Sequence, residues 1–249
     1  MAKANGTVEA AEPTLKIAYQ IGFWAAILMT VLTAVAFAIA IATPPISGPF
    51  CRSGCISYPY AGVASNVPND YLWLYPALFI APLFLVLSTC LHHHVSSGKR
   101  IYSQIGLSLV LAYTIMVSLD YYIQITVIQP SLLQGETDGL ALFLQYNPHG
   151  VFIALEDLGY LMMSMAFFFI GMALGNDGKI ERALRWLFVI SPVLAVGSYI
   201  VLSVIYGNNL EYRFEVLVIT LNWTTLVVAG ILSSILFWRI LQSEKEEAL

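Results

Sequence analysis

At 249 residues the chain has the length of one or two soluble domains, yet 59% of its residues are hydrophobic and only 10% are charged. A soluble domain carries about a quarter charged residues, so this composition excludes an ordinary soluble enzyme or binding module. The net charge of −4 says little about partners, and no basic cluster points to nucleic acid, so none is expected as a partner.

The apolar residues are concentrated in runs. A helix needs about 20 residues to cross a bilayer, and six runs reach that length: 17–43, 71–95, 101–129, 149–174, 183–206 and 212–241. None carries the polar stripe that the outer helices of a soluble bundle show. The expected fold class is all-α, a polytopic bundle of six transmembrane helices in the lipid bilayer of a cell membrane. A cytoplasmic tail is expected over 1–16, one transmembrane domain over 17–241, and a second cytoplasmic tail over 242–249.

The first run, from Ile17 to Thr43, exceeds a signal-peptide core of about 7–15 residues and is read as part of the mature protein. Placing the N-terminus inside puts Lys3, Lys16, Lys99, Arg100, Lys179, Arg182, Arg185, Arg239 and Lys245 on the cytoplasmic side, against Arg52 and Arg213 on the other. That asymmetry follows the positive-inside rule and puts both termini in the cytoplasm.

In the first outer loop, Cys51 and Cys55 form a candidate disulfide within "CRSGC". Outside the cytoplasm such a bond is chemically allowed, although so small a loop adds little stability. Tyr58, Tyr60, Tyr71, Trp73 and Tyr75 are expected as an interfacial aromatic belt. The second run contains Cys90, expected as a free thiol, and ends on "HHH" at 92–94. Neighbouring helical residues point about 100° apart, so the three histidines of a regular helix do not converge on one ion, and no metal site is expected.

In the third run Tyr113, Asp120 and Gln124 share one helical face, and the helix is expected to end near Gln129 and Pro130. Counted back from that end, Asp120 lies about 14 Å deep. The fourth run opens on Asn147 as a helix cap with Pro148 in the first turn. Within "LEDLGY", Glu156 and Asp157 then lie about 12–14 Å deep. His149, Glu156, Tyr160 and Met163 form one stripe, with Asp157, Leu161 and Ser164 on the next. His149 is a candidate entrance to the Glu156 stripe.

Two carboxylates at mid-helix are costly. Each costs about 2.5–3.5 kcal/mol on an insertion scale, roughly cancelling the about 3–7 kcal/mol returned by the Leu, Ile, Phe and Val residues of the same run. The fifth run offers Gly197 and Ser198 as positions for close helix approach. In the sixth, Glu215, Asn222, Ala229 and Ser233 align, Asn222 about 12–16 Å deep. Glu211 and Glu215 are read as solvated interfacial charges.

Ionisable residues inside a membrane usually face the bundle interior or a wet cavity. Asp120, Gln124, Glu156, Asp157, Tyr160 and Asn222 are therefore the candidate ligand- or cation-binding residues, with Glu156 expected to meet Asp120. The expected function is binding or transport of a proton, a cation or a small cationic ligand at an outward-facing acidic site. One alternative is a structural or accessory protein whose buried polar groups only link helices. Another is an intramembrane enzyme that modifies a lipid or isoprenoid with paired carboxylates. The sequence contains no HExxH, phosphate-binding loop, dinucleotide fingerprint or nucleophile elbow. No catalytic residue or cofactor is assigned, and no oligomeric state is implied.

Overall fold

A computed structural model describes residues 11–176 and 178–247; Lys3, used above for orientation, lies outside them. The described chain is helical without strands, and six helical stretches are long and apolar enough to cross a membrane. Helix α1 spans Ala11–Ala42, α2 Leu74–His94 and α3 Arg100–Ile123. A π-helical turn over Gln124–Ile128 joins α3 to the short α4, Gln129–Gln134. Then follow α5 (Val151–Ala173), α6 (Lys179–Tyr206) and α7 (Tyr212–Glu247).

The long helices form a ring in chain order: α1 beside α2, then α3, α5, α6 and α7, which closes against α1. Helix α5 also meets α7 and α2 across the ring. The short connections at 95–99 and 207–211 force α3 antiparallel to α2 and α7 antiparallel to α6. One end of the bundle carries the 44–73 and 135–150 loops. At the other end lie the histidines of α2.

Close approach depends on missing side chains. A Cβ at Gly159 of α5 would come within 2.6 Å of Val117 Cγ2 on α3. One at Gly230 of α7 would run into Thr30 Oγ1 of α1. Gly197 faces open space and promotes no approach, because α6 turns that side away from its neighbours.

Several sequence expectations need correction. The third long helix does not stop at Gln129. The π turn carries it on to Gln134, and Pro130 falls in the first turn of α4, where its missing N–H is tolerated. Helix α5 starts at Val151, and its cap position is Gly150 rather than Asn147. The Asn147 side chain is turned to the loop instead: Oδ1 accepts from the His149 N–H at 3.0 Å, and Nδ2 donates to Ala141 O at 2.9 Å. The expected aromatic belt is split. Tyr58 and Tyr75 are exposed, whereas Tyr60 and Tyr71 are buried and Trp73 packs inward.

Candidate functional site: a carboxyl cluster behind an apolar groove

The carboxyl cluster is assembled by α3, α5 and α7 near the loop end. Glu156 lies five residues into α5 and is fully buried. That is a rise of about 8 Å from the helix start, shallower than expected because the helix begins later. Gly159, one turn on, lets α3 come close enough for Tyr121 to donate its hydroxyl to Glu156 Oε1 at 2.6 Å.

Behind Tyr121 runs a directed chain of hydrogen bonds. Trp223 Nε1 on α7 donates to the Tyr160 hydroxyl at 2.8 Å, and Tyr160 and Tyr121 hydroxyls are 2.8 Å apart. An indole N–H only donates, and each phenol has one hydrogen. Because the Tyr121 hydrogen is committed to Glu156, Tyr160 must donate to Tyr121. The donors therefore all point one way: Trp223 to Tyr160 to Tyr121 to Glu156.

The other oxygen of Glu156, Oε2, is buried with no donor among the described residues. Glu215 on α7 lies within electrostatic reach of Glu156. Ionised carboxylates only accept, so neither group satisfies the other unless a proton or cation lies between them. Glu215 Oε2 likewise has no donor among the described residues. The expectation that Glu215 is a solvated interfacial charge is corrected: α7 begins at Tyr212 under the loops and turns residue 215 inward towards α5.

Asp120 and Asp157 complete the group. Both lie within electrostatic reach of Glu156, and each has one buried oxygen without a donor among the described residues. Glu215 shares that field. The ion pairs formed by the described residues are His94–Glu181 and Arg213–Glu211, and neither involves the cluster. The described residues contain no group of three or more His, Cys, Asp or Glu placed to hold one metal ion.

The other candidate residues have different positions. Tyr160 is the relay between Trp223 and Tyr121. Asn222 is fully buried, and both ends of its amide are occupied. Ser164 Oγ donates to Oδ1 at 3.1 Å and Nδ2 donates to Tyr160 O at 3.0 Å. It links α5 to α7 through one hydrogen bond at each end of its amide. Gln124 ties the π turn to the loop through Nε2 to Phe143 O at 2.6 Å, while its Oε1 has no donor among the described residues. His149 precedes α5 and is exposed, so the expected stripe with Glu156 does not exist.

The sulfurs of Cys51 and Cys55 are bonded at 1.98 Å, and Cys90 is a buried free thiol. The histidines at the opposite end diverge. His92 Nδ1 lies 2.7 Å from Ser103 Oγ, and His94 lies between Tyr19 and Glu181.

A cavity of about 370 Å³ lies between α1 and α7 at the loop end. Its walls include Phe37, Ile41, Val216 and Ile219, and its floor includes Trp73, Phe152 and Trp223. None of Asp120, Glu156 and Asp157 lines it, so it lends no support to the expected acidic pocket shared by those residues. The physical reason is aromatic. The Trp73 ring lies 5.4 Å from that of Tyr121 and 6.4 Å from that of Phe152, closing the space in front of Glu156. Glu215 is the lining residue that also reaches Glu156.

Hydrogen bonds between loops draw the structure together over this end. Ser47 Oγ donates to Tyr146 O at 2.7 Å, Tyr212 donates to Gln145 O at 3.1 Å, and Gln145 Nε2 donates to Asp70 O at 3.1 Å. The Asp70 carboxylate accepts from Asn66 Nδ2 at 2.8 Å and from the Tyr146 hydroxyl at 3.1 Å. Burial pushes the Tyr146 phenol well above its ordinary pKa, with Tyr71 and Asp70 adding to the effect.

The chain matches no family model, no curated protein and no solved structure.

Proposed function

We propose that the chain is a multi-pass membrane protein that binds a proton or a small cationic ligand at Glu156 and Glu215, with Asp120 and Asp157 completing the acidic field. The termini face the cytoplasm and the Cys51–Cys55 loop faces outward, in keeping with the distribution of basic residues. The observation that carries this reading is that Glu156 and Glu215 each bury an oxygen without a donor among the described residues, and neither takes part in an ion pair among them. Carboxyl groups so arranged need a proton or cation to offset their mutual repulsion and desolvation. The donor chain from Trp223 holds one oxygen of Glu156 and leaves the other to meet the bound charge. Handing that charge onward would make the protein a transporter.

The test is the melting temperature of the protein in lipid nanodiscs, measured across pH and with monovalent cations or small amines. The wild type responds to one of these variables, and Glu156→Gln and Glu215→Gln each remove that response. Equal responses in the wild type and both variants would overturn the reading. They would favour a protein whose buried polar groups only join helices, a role Asn222 already fills.

A further inference from the structure

We propose that the groove between α1 and α7 admits a single-chain amphiphile from the bilayer, its apolar chain along the groove and an ammonium head on Glu215. This rests on the reading of the carboxyl cluster as a cation site and adds the class of ligand and its route.

Chemistry inside the groove selects the ligand. The walls and floor are almost wholly apolar and aromatic, and the lining contains no Lys, Arg or His. Asp70 and Glu215 are the lining carboxyl groups. Asp70 is already engaged by Asn66 and Tyr146, whereas Glu215 Oε2 is buried without a donor among the described residues. A ligand head that supplies both positive charge and N–H donors satisfies that carboxyl group. Trp73 is half-buried in the same lining, and aromatic rings attract ammonium groups.

Size and access narrow the class. Ligand pockets run from about 300 to 1,000 Å³, and a volume of about 370 Å³ is at the low end, suited to one chain rather than a two-chain lipid. Ile41 and Val216, on the walls, are 72% and 47% exposed on the outer flank of the bundle. In helices that cross a membrane, such a flank meets acyl chains. The aqueous end, by contrast, is crossed by the hydrogen bonds among Ser47, Tyr146, Gln145 and Tyr212. The open flank therefore favours entry from the lipid.

The experiment compares dodecylamine, dodecanol and butylamine as probes of the wild-type melting temperature in phosphatidylcholine nanodiscs. Dodecylamine is expected to raise the melting temperature in a saturable way, with dodecanol and butylamine giving less than a third of that shift. The shift disappears in Glu215→Gln and in Val216→Trp, which fills the groove. It persists in Val193→Trp, which adds the same bulk to the exposed face of α6. An equal shift with dodecanol would overturn the proposal by showing that the head is not recognised. If butylamine matches dodecylamine and Val216→Trp leaves both shifts intact, lateral entry is overturned while the carboxyl cluster remains a cation site. No shift with any probe overturns the proposal, and because the comparison among the three probes uses the wild type, it holds even if a variant fails to fold.

Discussion

Tyr121 donates its hydroxyl to Glu156 at 2.6 Å across the contact of α3 with α5, and this bond sets the direction of every hydrogen behind it. Removing the hydroxyl has two consequences: Glu156 Oε1 loses its donor and the Tyr160 hydroxyl loses its acceptor. Tyr121→Phe is therefore expected to cost about 2 kcal/mol, the range for stranding buried polar groups. Tyr160→Phe strands only the Trp223 N–H and should cost about 1 kcal/mol. Reversible unfolding in mixed micelles measures both; the reverse order would show that the Tyr121 hydrogen is not the one committed to Glu156.

Asn222→Leu separates structure from binding. The substitution removes the bonds from Ser164 and to Tyr160 O, and hydrogen bonds between membrane helices average about 0.6 kcal/mol each. A loss of about 1 kcal/mol is expected, with the pH or cation response of the melting temperature unchanged. Loss of that response would return Asn222 to the binding site.

Gly159 and Gly197 make a matched pair. Gly159→Val drives side-chain atoms against Val117 and should cost about 1–3 kcal/mol through overpacking. Because α3 and α5 are forced apart, it should also weaken the contact between Tyr121 and Glu156. Gly197→Ala meets open space and should be neutral or stabilising by up to about 1 kcal/mol. Thermal unfolding of the two variants side by side checks the contrast.

Tyr146 gives the loop end a limit in base. Its phenol is raised above the ordinary value of 10.0 mainly by burial, so the folded state holds its proton more tightly than the unfolded chain. The corresponding stability is complete below about pH 10 and is lost as pH rises beyond it. Stability measured between pH 9 and 12 should fall, and Tyr146→Phe should make the fall shallower. An unchanged slope would mean that the loop end does not bury this phenol.

Glu215 shows where the sequence misleads. It aligns with Asn222, Ala229 and Ser233, an interior stripe that helical spacing reveals, yet its nearness to the helix start suggested solvent. Depth counted along one helix takes no account of loops folded over its end. Ser47, Gln145 and Tyr146, brought in from distant parts of the chain, cover the start of α7 and leave Glu215 directed at α5. His149 errs in the opposite direction: a regular stripe placed it above Glu156, but Asn147 draws its backbone into the loop before α5 begins.

Composition and hydropathy determine the six apolar helices and the faces that carry Asp120, Glu156 and Asn222, because each helix obeys a local period and a fixed rise. Only the tertiary structure decides which polar groups remain unsatisfied. Whether a buried carboxyl meets a tyrosine, an amide or another carboxyl depends on which helices become neighbours in the ring. Asn222 and Glu156 both stand on interior stripes along the chain. Packing supplied each end of the Asn222 amide with a partner and left one Glu156 oxygen without a donor among the described residues.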